Sequence, residues 1–214
     1  AGIPALGWNY KPMGNFRTES AIGRGGAKYS TFDYDVYMKD RKKMHTPEIS
    51  EATMWERMEG FLKAVIPVAE KAGVVMALHP DDPPVPEPLG GVWQVCSSTD
   101  QFRRVFDSVP SESNRMLFCQ GCVTEMGVDV FAAIRRMGRQ GKICYVHFRN
   151  VRGSMATTGA YEETALDDGD MNMFKIVQAL DRVGPCRGCA EATGAHRGAQ
   201  FGVLDLLAAG LHLA

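Results

Sequence analysis

The sequence predicts an α/β fold of parallel β/α units, and within this class it favours part of a (β/α)8 TIM barrel. Strand-like and helix-like segments alternate along the chain, and the strand-like ones are continuous apolar runs, which is typical of strands buried on both faces. No G-x-G-x-x-G motif follows a strand, which disfavours a doubly wound nucleotide-binding sheet. A full barrel takes about 250 residues, so this chain of 214 residues is interpreted as one incomplete barrel domain, residues 1–214.

The predicted elements follow one another in the order strand, helix, strand, helix. Strands are expected at 4–10, 74–79, 115–121 and 142–150, and helices at 50–73, 98–109, 126–141 and 171–184. Ser50 is a suitable N-cap for the longest helix and Gly73 a suitable stop, while Asp170 is placed to cap the last helix. Residues 14–48 are rich in glycine and charged side chains, and they are predicted to form an inserted loop or lid.

The composition narrows the classes of function. The net charge of −1, with 45% hydrophobic and 23% charged residues, is ordinary for a domain that buries a core. It offers no basic surface for nucleic acid or an anionic membrane, and no apolar run reaches the roughly 18 residues of a membrane span. The first residues lack a signal-peptide pattern, and six cysteines suggest reduced thiols in a cytoplasm. Because the chain opens without Met close to a strand, we expect it to be a piece of a longer protein.

Three of the predicted strands end in a side chain that can bind a transition metal, namely His79, Cys119 and His147. In a parallel β/α fold the carboxyl ends of the strands lie at one rim, so we expect these side chains to converge there. Two imidazoles and a thiolate suit a divalent transition ion and leave positions open for a substrate. A single histidine or cysteine at a strand end has simpler interpretations, so the prediction depends on the three strand ends together.

Charged residues flank these predicted ligands. The stretch HPDDPP places Asp81 and Asp82 beside His79, and Arg149 points to the same face of its strand as His147. A guanidinium next to a metal suits a carboxylate or a sugar acid, although a surface ion pair is the simpler interpretation. The sequence therefore predicts a metal site that takes a small acidic substrate.

A different metal site is suggested by two C-x-x-C pairs, Cys119–Cys122 and Cys186–Cys189. Such pairs are a frequent sign of structural zinc. The separation between the two pairs is much longer than in a zinc ribbon, and the first pair starts at a strand end. Structural zinc is therefore the weaker alternative.

Six segments of the sequence resemble the mannonate dehydratases and occur in the order that this family has them. They are NYKPMGNFRT, RGGA, FLKAVIPVAEKAGVVMALHPDDPP, FCQG, GKICYVHFRNVRG and DDGDMNM, and they span about residue 6 to residue 184. The resemblance implies a xylose-isomerase-like (β/α)8 barrel that binds manganese or ferrous iron. It also implies a lyase that dehydrates D-mannonate to 2-keto-3-deoxy-D-gluconate in the breakdown of hexuronates such as glucuronate.

In that family, the metal is held by the histidine of HPDD, the cysteine of FCQG and the histidine of VHFR. These positions correspond to His79, Cys119 and His147, so the resemblance selects the same residues as the strand ends. In the implied reaction a base removes the proton at C2 and an acid protonates the leaving oxygen at C3, while the ion offsets the developing charge. The candidates for binding the sugar acid are Arg17, Asp81 and Arg149.

The end of the chain departs from the family. After LDRVG the family continues with an RPDH-type segment, which supplies the fourth metal ligand and a histidine for acid–base transfer, and then with a glycine-tyrosine segment. Residues 185–214 contain no such motif and are interpreted as a divergent tail, in which Glu191 and His196 are only the nearest chemical substitutes. The catalytic acid and base are therefore left unassigned.

Two alternatives to the dehydratase stay open. A metal-dependent sugar isomerase or epimerase of the same barrel superfamily also removes a proton next to a polarised oxygen, although a cysteine ligand fits the dehydratase better. The other alternative is an inactive truncated fragment, because a barrel that lacks strands leaves an open sheet edge and exposed apolar faces. Such a chain would be marginally stable or would form a homo-oligomer.

Overall fold

The computed structural model describes residues 4–11, 15–40 and 48–184. In chain order the strands are β1 (Ala5–Trp8), β2 (Ala21–Ile22), β3 (Lys28–Tyr29), β4 (Thr31–Asp33), β5 (Val75–Leu78), β6 (Asn114–Cys119), β7 (Ile143–His147), β8 (Asn150–Ser154) and β9 (Ala160–Thr164). The helices are α1 (Tyr34–Asp40), α2 (Glu51–Ala72), α3 (Thr99–Ser108), α4 (Gln120–Glu125), α5 (Val130–Arg139) and α6 (Met173–Val183). The tail predicted at 185–214 lies outside the described residues.

Four of the strands form one parallel sheet in the order β1-β5-β6-β7. Neighbouring strands are in parallel register, with Leu78 opposite Met116 and Cys119 opposite His147. Helices α2, α3 and α5 lie in the connections between successive strands, as the crossovers of β/α units require. A complete barrel has eight such strands, so the described residues form a half-barrel, and the predicted fold class is confirmed.

The helices cover one face of this sheet and bury a common core. Met58, Leu62 and Ile66 of α2 are fully buried in it, together with Leu78 of β5 and Phe118 of β6. Burying an apolar side chain of this size contributes about 1.5 to 3 kcal/mol, so this packing holds the helices on the sheet. No helix in the described ranges has both the length and the apolar character of a membrane span.

The helix ends confirm one predicted boundary and correct another. Ser50 caps α2 by accepting a hydrogen bond from the Thr53 N–H, and Gly73 ends the helix in the left-handed conformation, as predicted. The predicted cap of α6 is wrong, since Asn172 rather than Asp170 caps this helix. The Asp170 carboxylate instead accepts the Gly153 N–H, because the chain before α6 packs against β8.

Between β6 and α5 the predicted boundaries are also wrong. The strand expected at 115–121 ends at Cys119, which caps the short helix α4. The helix expected at 126–141 begins only at Val130, because Gly127 has a φ of 76° and Asp129 caps α5. Helix α4 therefore begins directly after the predicted ligand Cys119.

A second, antiparallel sheet has the order β4-β9-β8. Its strand β4 comes from the segment predicted as a loop or lid, and the hairpin β8–β9 follows closely after β7. Buried side chains of this layer, Phe32 and Tyr161, pack against Val85 and Leu89 from the loop after β5. The antiparallel sheet is thereby placed next to the loop that contains HPDDPP.

Candidate metal centre

Three potential ligands meet at the carboxyl ends of three neighbouring strands. His79 directly follows β5, and Cys119 and His147 are the last residues of β6 and β7. One ligand atom from each of the three lies within 4.8 Å of the others. The structure thus brings together the three residues that the sequence predicted as ligands, and we refer to them as the histidine–cysteine group.

The two imidazoles of this group turn nitrogen atoms toward each other. His79 Nδ1 lies 2.7 Å from the Pro80 carbonyl oxygen, and because a carbonyl only accepts, Nδ1 is the donor. In the neutral ring this leaves the lone pair on Nε2, which lies 3.2 Å from His147 Nδ1. Two nitrogens that each lie about 2.1 Å from one cation are separated by about 3.0 to 3.4 Å. The spacing of the imidazoles therefore fits a shared transition ion.

The surroundings of Cys119 favour its thiolate form. Burial opposes ionisation, but a hydrogen bond with Cys122, the charge of Arg149 and the two imidazoles together hold the pKa of the Cys119 thiol well below its usual value. The same contact with Cys119 raises the pKa of His147. Since the thiolate is the form that binds metals, the donor set of this group is suited to a divalent transition ion.

A second group of potential ligands lies beside the first, and the guanidinium of Arg149 lies among its side chains. Asp82, Cys122 and Glu125 are all buried, and their ligand atoms also lie within 4.8 Å of one another. The guanidinium of Arg149 is bonded to each of them: Nη1 lies 2.8 Å from Asp82 Oδ2, and Nη2 lies 3.1 Å from Cys122 Sγ and pairs with Glu125 Oε1. We refer to these residues as the arginine-filled group, because a side chain of the protein supplies their cation.

The three predicted substrate residues lie in different surroundings. Arg17 donates to Asp82 Oδ2 at 2.8 Å and to Glu163 Oε1 at 2.7 Å, and its side chain is 23% exposed. Arg149 is buried among its carboxylates. Asp81 is also buried, accepts the Cys96 N–H at 2.7 Å, and has its pKa raised to about 6 by burial. Contact of the three with a substrate stays a prediction.

Sequence reasoning missed several residues around these groups. Tyr161 of β9 donates to Asp82 Oδ1 at 2.6 Å and so ties the antiparallel sheet to the HPDDPP loop. The amide of Gln120, turned so that both of its ends are satisfied, donates to the His147 carbonyl at 2.8 Å and accepts the Arg149 N–H at 2.9 Å. The one available signal for Gln120 was its position directly after Cys119.

The alternative zinc site falls only partly within the described residues. Cys186 and Cys189, and the substitutes Glu191 and His196, lie outside the described residues. Cys119 and Cys122, the first pair, belong to the histidine–cysteine group and the arginine-filled group respectively.

Ligand-type side chains at successive strand ends of a parallel half-barrel are typical of a TIM-barrel protein with its functional site at the carboxyl rim of the sheet. Within that class, residues 18–188 match the model of the D-mannonate dehydratase (UxuA) family. The chain belongs to this family.

Individual relatives agree with this assignment. The chain is 34% identical over 148 residues to a mannonate dehydratase of Streptococcus pneumoniae (strain 70585), which covers 67% of this chain and 38% of the relative. It is 30% identical over 135 residues to one of Geobacillus thermodenitrificans (strain NG80-2), which covers 62% of this chain and 35% of the relative. The chain thus spans well under half the length of these relatives.

Solved structures support the same assignment at the level of the fold. The crystal structure of mannonate dehydratase from Streptococcus suis serotype 2 is similar with a TM-score of 0.69 and 28% identity, over 85% of this chain and 53% of that one. A xylose isomerase domain protein from Planctomyces limnophilus is similar with a TM-score of 0.50 and 16% identity, over 75% of this chain and 54% of that one. The second likeness shows the fold alone.

Proposed function

We propose that this chain contains the metal-binding half of a mannonate dehydratase. Within the whole protein it dehydrates D-mannonate to 2-keto-3-deoxy-D-gluconate, in the breakdown of hexuronates such as glucuronate, in the cytoplasm. The observation that supports this most is the meeting of His79, Cys119 and His147 at three strand ends in a chain of this family. These residues would hold Mn²⁺ or Fe²⁺.

The donor set supports a transition ion rather than Mg²⁺ or Ca²⁺, because thiolate and imidazole are softer than the oxygen ligands that those ions prefer. When bound, such an ion acts as a Lewis acid toward substrate oxygens. The residues of the chain do the remaining work of binding and orientation. Arg17, whose side chain is partly exposed, would bind the sugar-acid carboxylate, and its ion pairs with Asp82 and Glu163 would hold its direction.

The first test is metal binding by the purified chain, measured as stoichiometry and affinity for Mn²⁺ and Fe²⁺. We expect one ion per chain. Loss of a residue that only orients a ligand weakens metal binding about 10- to 100-fold, and we expect His147→Ala, which removes a ligand, to weaken it further. Tyr145→Phe is the matched control, because Tyr145 is an exposed residue of the same strand. Equal affinity of the two variants would contradict the proposed ligand set.

The second test is turnover, with this chain and a complete family member assayed side by side. Keto-acid formation from D-mannonate supports the dehydratase. Ketose formation from aldoses without keto acid from mannonate would instead support the isomerase or epimerase. A chain that binds the ion but turns over neither substrate, while the complete protein is active, would indicate that turnover needs residues outside this chain.

A further inference from the structure

The three ligands of the histidine–cysteine group lie on three separate segments. His79 lies on the loop after β5, Cys119 caps α4, and His147 ends β7. Ligands on separate segments stay in register only if something joins the segments. Backbone pairing places Cys119 opposite His147, and the His79 N–H donates to the Trp8 carbonyl at 2.9 Å, but the rest of the loop after His79 and helix α4 lie beyond the paired strands.

One guanidinium joins all three segments. Arg149 follows His147 by two residues, and its Nη1 lies 2.8 Å from Asp82 Oδ2, on the loop that begins with His79. Its Nη2 lies 3.1 Å from Cys122 Sγ and pairs with Glu125, both on the helix that Cys119 caps.

The local structure is shaped around this guanidinium. A Cβ at Gly121 would lie 2.5 Å from Arg149 Nε, so only glycine lets the side chain lie against α4. The Gln120 amide holds the backbone of the same strand end by its bonds to the His147 carbonyl and the Arg149 N–H. The side chains of Arg149, Asp82 and Glu125 are 9%, 5% and 0% exposed. Buried, hydrogen-bonded ion pairs of this kind are directional and costly to break.

We propose that Arg149 is a positioning residue that keeps His79, Cys119 and His147 in register, and that it is not a substrate contact. This inference rests on the proposed function, since it assigns a role within the same metal site. Both Nη atoms of Arg149 are already paired with Asp82, Glu125 and Glu163, so a substrate carboxylate that took one of them would separate a buried carboxyl group from its partner. Partners that orient metal ligands typically alter metal affinity about 10- to 100-fold.

Arg17 provides the matched control. It shares Asp82 and Glu163 with Arg149, but its other bonds are to Ser30 Oγ and to the carbonyl of Phe16. Within residues 4–11, 15–40 and 48–184, the hydrogen bonds of Arg17 do not reach α4 or β7. A substitution at Arg17 therefore disturbs the same carboxylates without loosening helix α4.

The experiment compares Arg149→Lys with Arg17→Lys, each of which keeps the charge and loses the fork of donors. We expect Arg149→Lys to weaken Mn²⁺ binding about 10- to 100-fold and Arg17→Lys to leave it within about 3-fold while raising KM for mannonate. If Arg149→Lys raises KM but binds Mn²⁺ as tightly as the unaltered chain, Arg149 is a substrate contact and the proposal is overturned. If Arg149→Lys does not fold, Glu125→Gln is tested in its place. We expect Glu125→Gln to weaken Mn²⁺ binding as well, by less than is expected for Arg149→Lys.

A readout without metal separates this inference from the proposed function. In the metal-free chain, the rate of Cys119 alkylation by iodoacetamide, mapped on peptides by mass, reports how often α4 opens from the sheet. We expect faster alkylation in Arg149→Lys and an unchanged rate in Arg17→Lys. If the unaltered chain binds no divalent ion, the proposed function is overturned. If Cys119 is alkylated at the same rate in the two variants, the positioning role of Arg149 is overturned.

Discussion

The histidine–cysteine group and the arginine-filled group lie side by side, and each contains one cysteine. In each, three ligand atoms lie within 4.8 Å of one another. The arginine-filled group surrounds the permanent cation of Arg149 with the carboxyl groups of Asp82 and Glu125, and burial raises the pKa of Glu125 although Arg149 opposes this, whereas the histidine–cysteine group combines two imidazoles with one cysteine. Proximity of ligand-type side chains therefore does not by itself define a metal site, because the charge balance within each group decides which cation it takes.

The two groups also differ in the role for which they are suited. A buried ion pair contributes little net stability but is costly to break on one side only. The arginine-filled group is thus suited to fixing the geometry of its neighbour, and the histidine–cysteine group to binding an ion. The predictions that follow separate these two roles.

The largest difference is expected between the two cysteines. Cys119→Ser removes a ligand of the histidine–cysteine group, and we expect it to weaken divalent metal binding by at least about 100-fold, beyond the effect of losing a mere partner of a ligand. Cys122→Ser keeps a polar side chain beside Arg149, and we expect a loss of less than about 10-fold. Competition titrations with a chelator of known affinity measure both. If the two variants lose similar amounts of metal affinity, the proposed difference between the two groups is wrong.

The next difference concerns the adjacent aspartates, in the metal-free chain. Burial opposes ionisation of Asp82, but Arg149 and Arg17 hold its pKa well below the usual value. Its contribution to stability is therefore present above about pH 4, the pKa of an unfolded aspartate, and is lost as the pH falls through the lower folded pKa. We expect Asp82→Asn to lower the free energy of unfolding at neutral pH by about 3 kcal/mol, measured by urea denaturation.

Asp81 is expected to respond in the opposite direction. Burial raises its pKa to about 6, so between about pH 4 and pH 6 the unfolded chain loses the proton first and stability falls as the pH rises. An asparagine keeps an oxygen to accept the Cys96 N–H and carries no charge. We expect Asp81→Asn to raise the free energy of unfolding at neutral pH by about 1 to 2 kcal/mol. A loss of stability comparable to that of Asp82→Asn would show that the charge of Asp81 is itself required.

A further difference is expected between two glycines. Gly121→Ala places a methyl group 2.5 Å from Arg149 Nε, and we expect it to cost about 1 to 3 kcal/mol and to weaken metal binding. Gly60 lies within α2 with nothing near its Cβ position, so Gly60→Ala should stabilise the chain by about 0.5 to 1 kcal/mol. Thermal unfolding with and without metal measures both. If Gly121→Ala lowers neither the stability nor the metal affinity, close contact between Arg149 and α4 is not required.

The sequence predicted the histidine–cysteine group because its information is local. Each ligand follows a continuous apolar run, and parallel strands bring their carboxyl ends to one rim whatever the remaining sequence is. The long helix α2 was equally predictable, since its periodicity, its Ser50 cap and its Gly73 stop are all readable within one segment.

The arginine-filled group could not be predicted in the same way. Arg149 meets Asp82 across 67 positions and Glu125 across 24, and no local pattern links these residues. The short strands of the antiparallel sheet are half polar, and β4 pairs with a strand far along the chain, with Thr31 opposite Glu162. Helix α4 has six residues, too few to show helical periodicity.

The most direct test of the account is X-ray absorption spectroscopy of Mn²⁺ or Fe²⁺ bound to the purified chain. We expect a single ion with sulfur and imidazole nitrogen among its ligands, and loss of the sulfur contribution in Cys119→Ser, since Cys119 and the two histidines form the group. An ion bound through oxygen and nitrogen alone, or a chain that takes up no ion in stoichiometric amount, would contradict it.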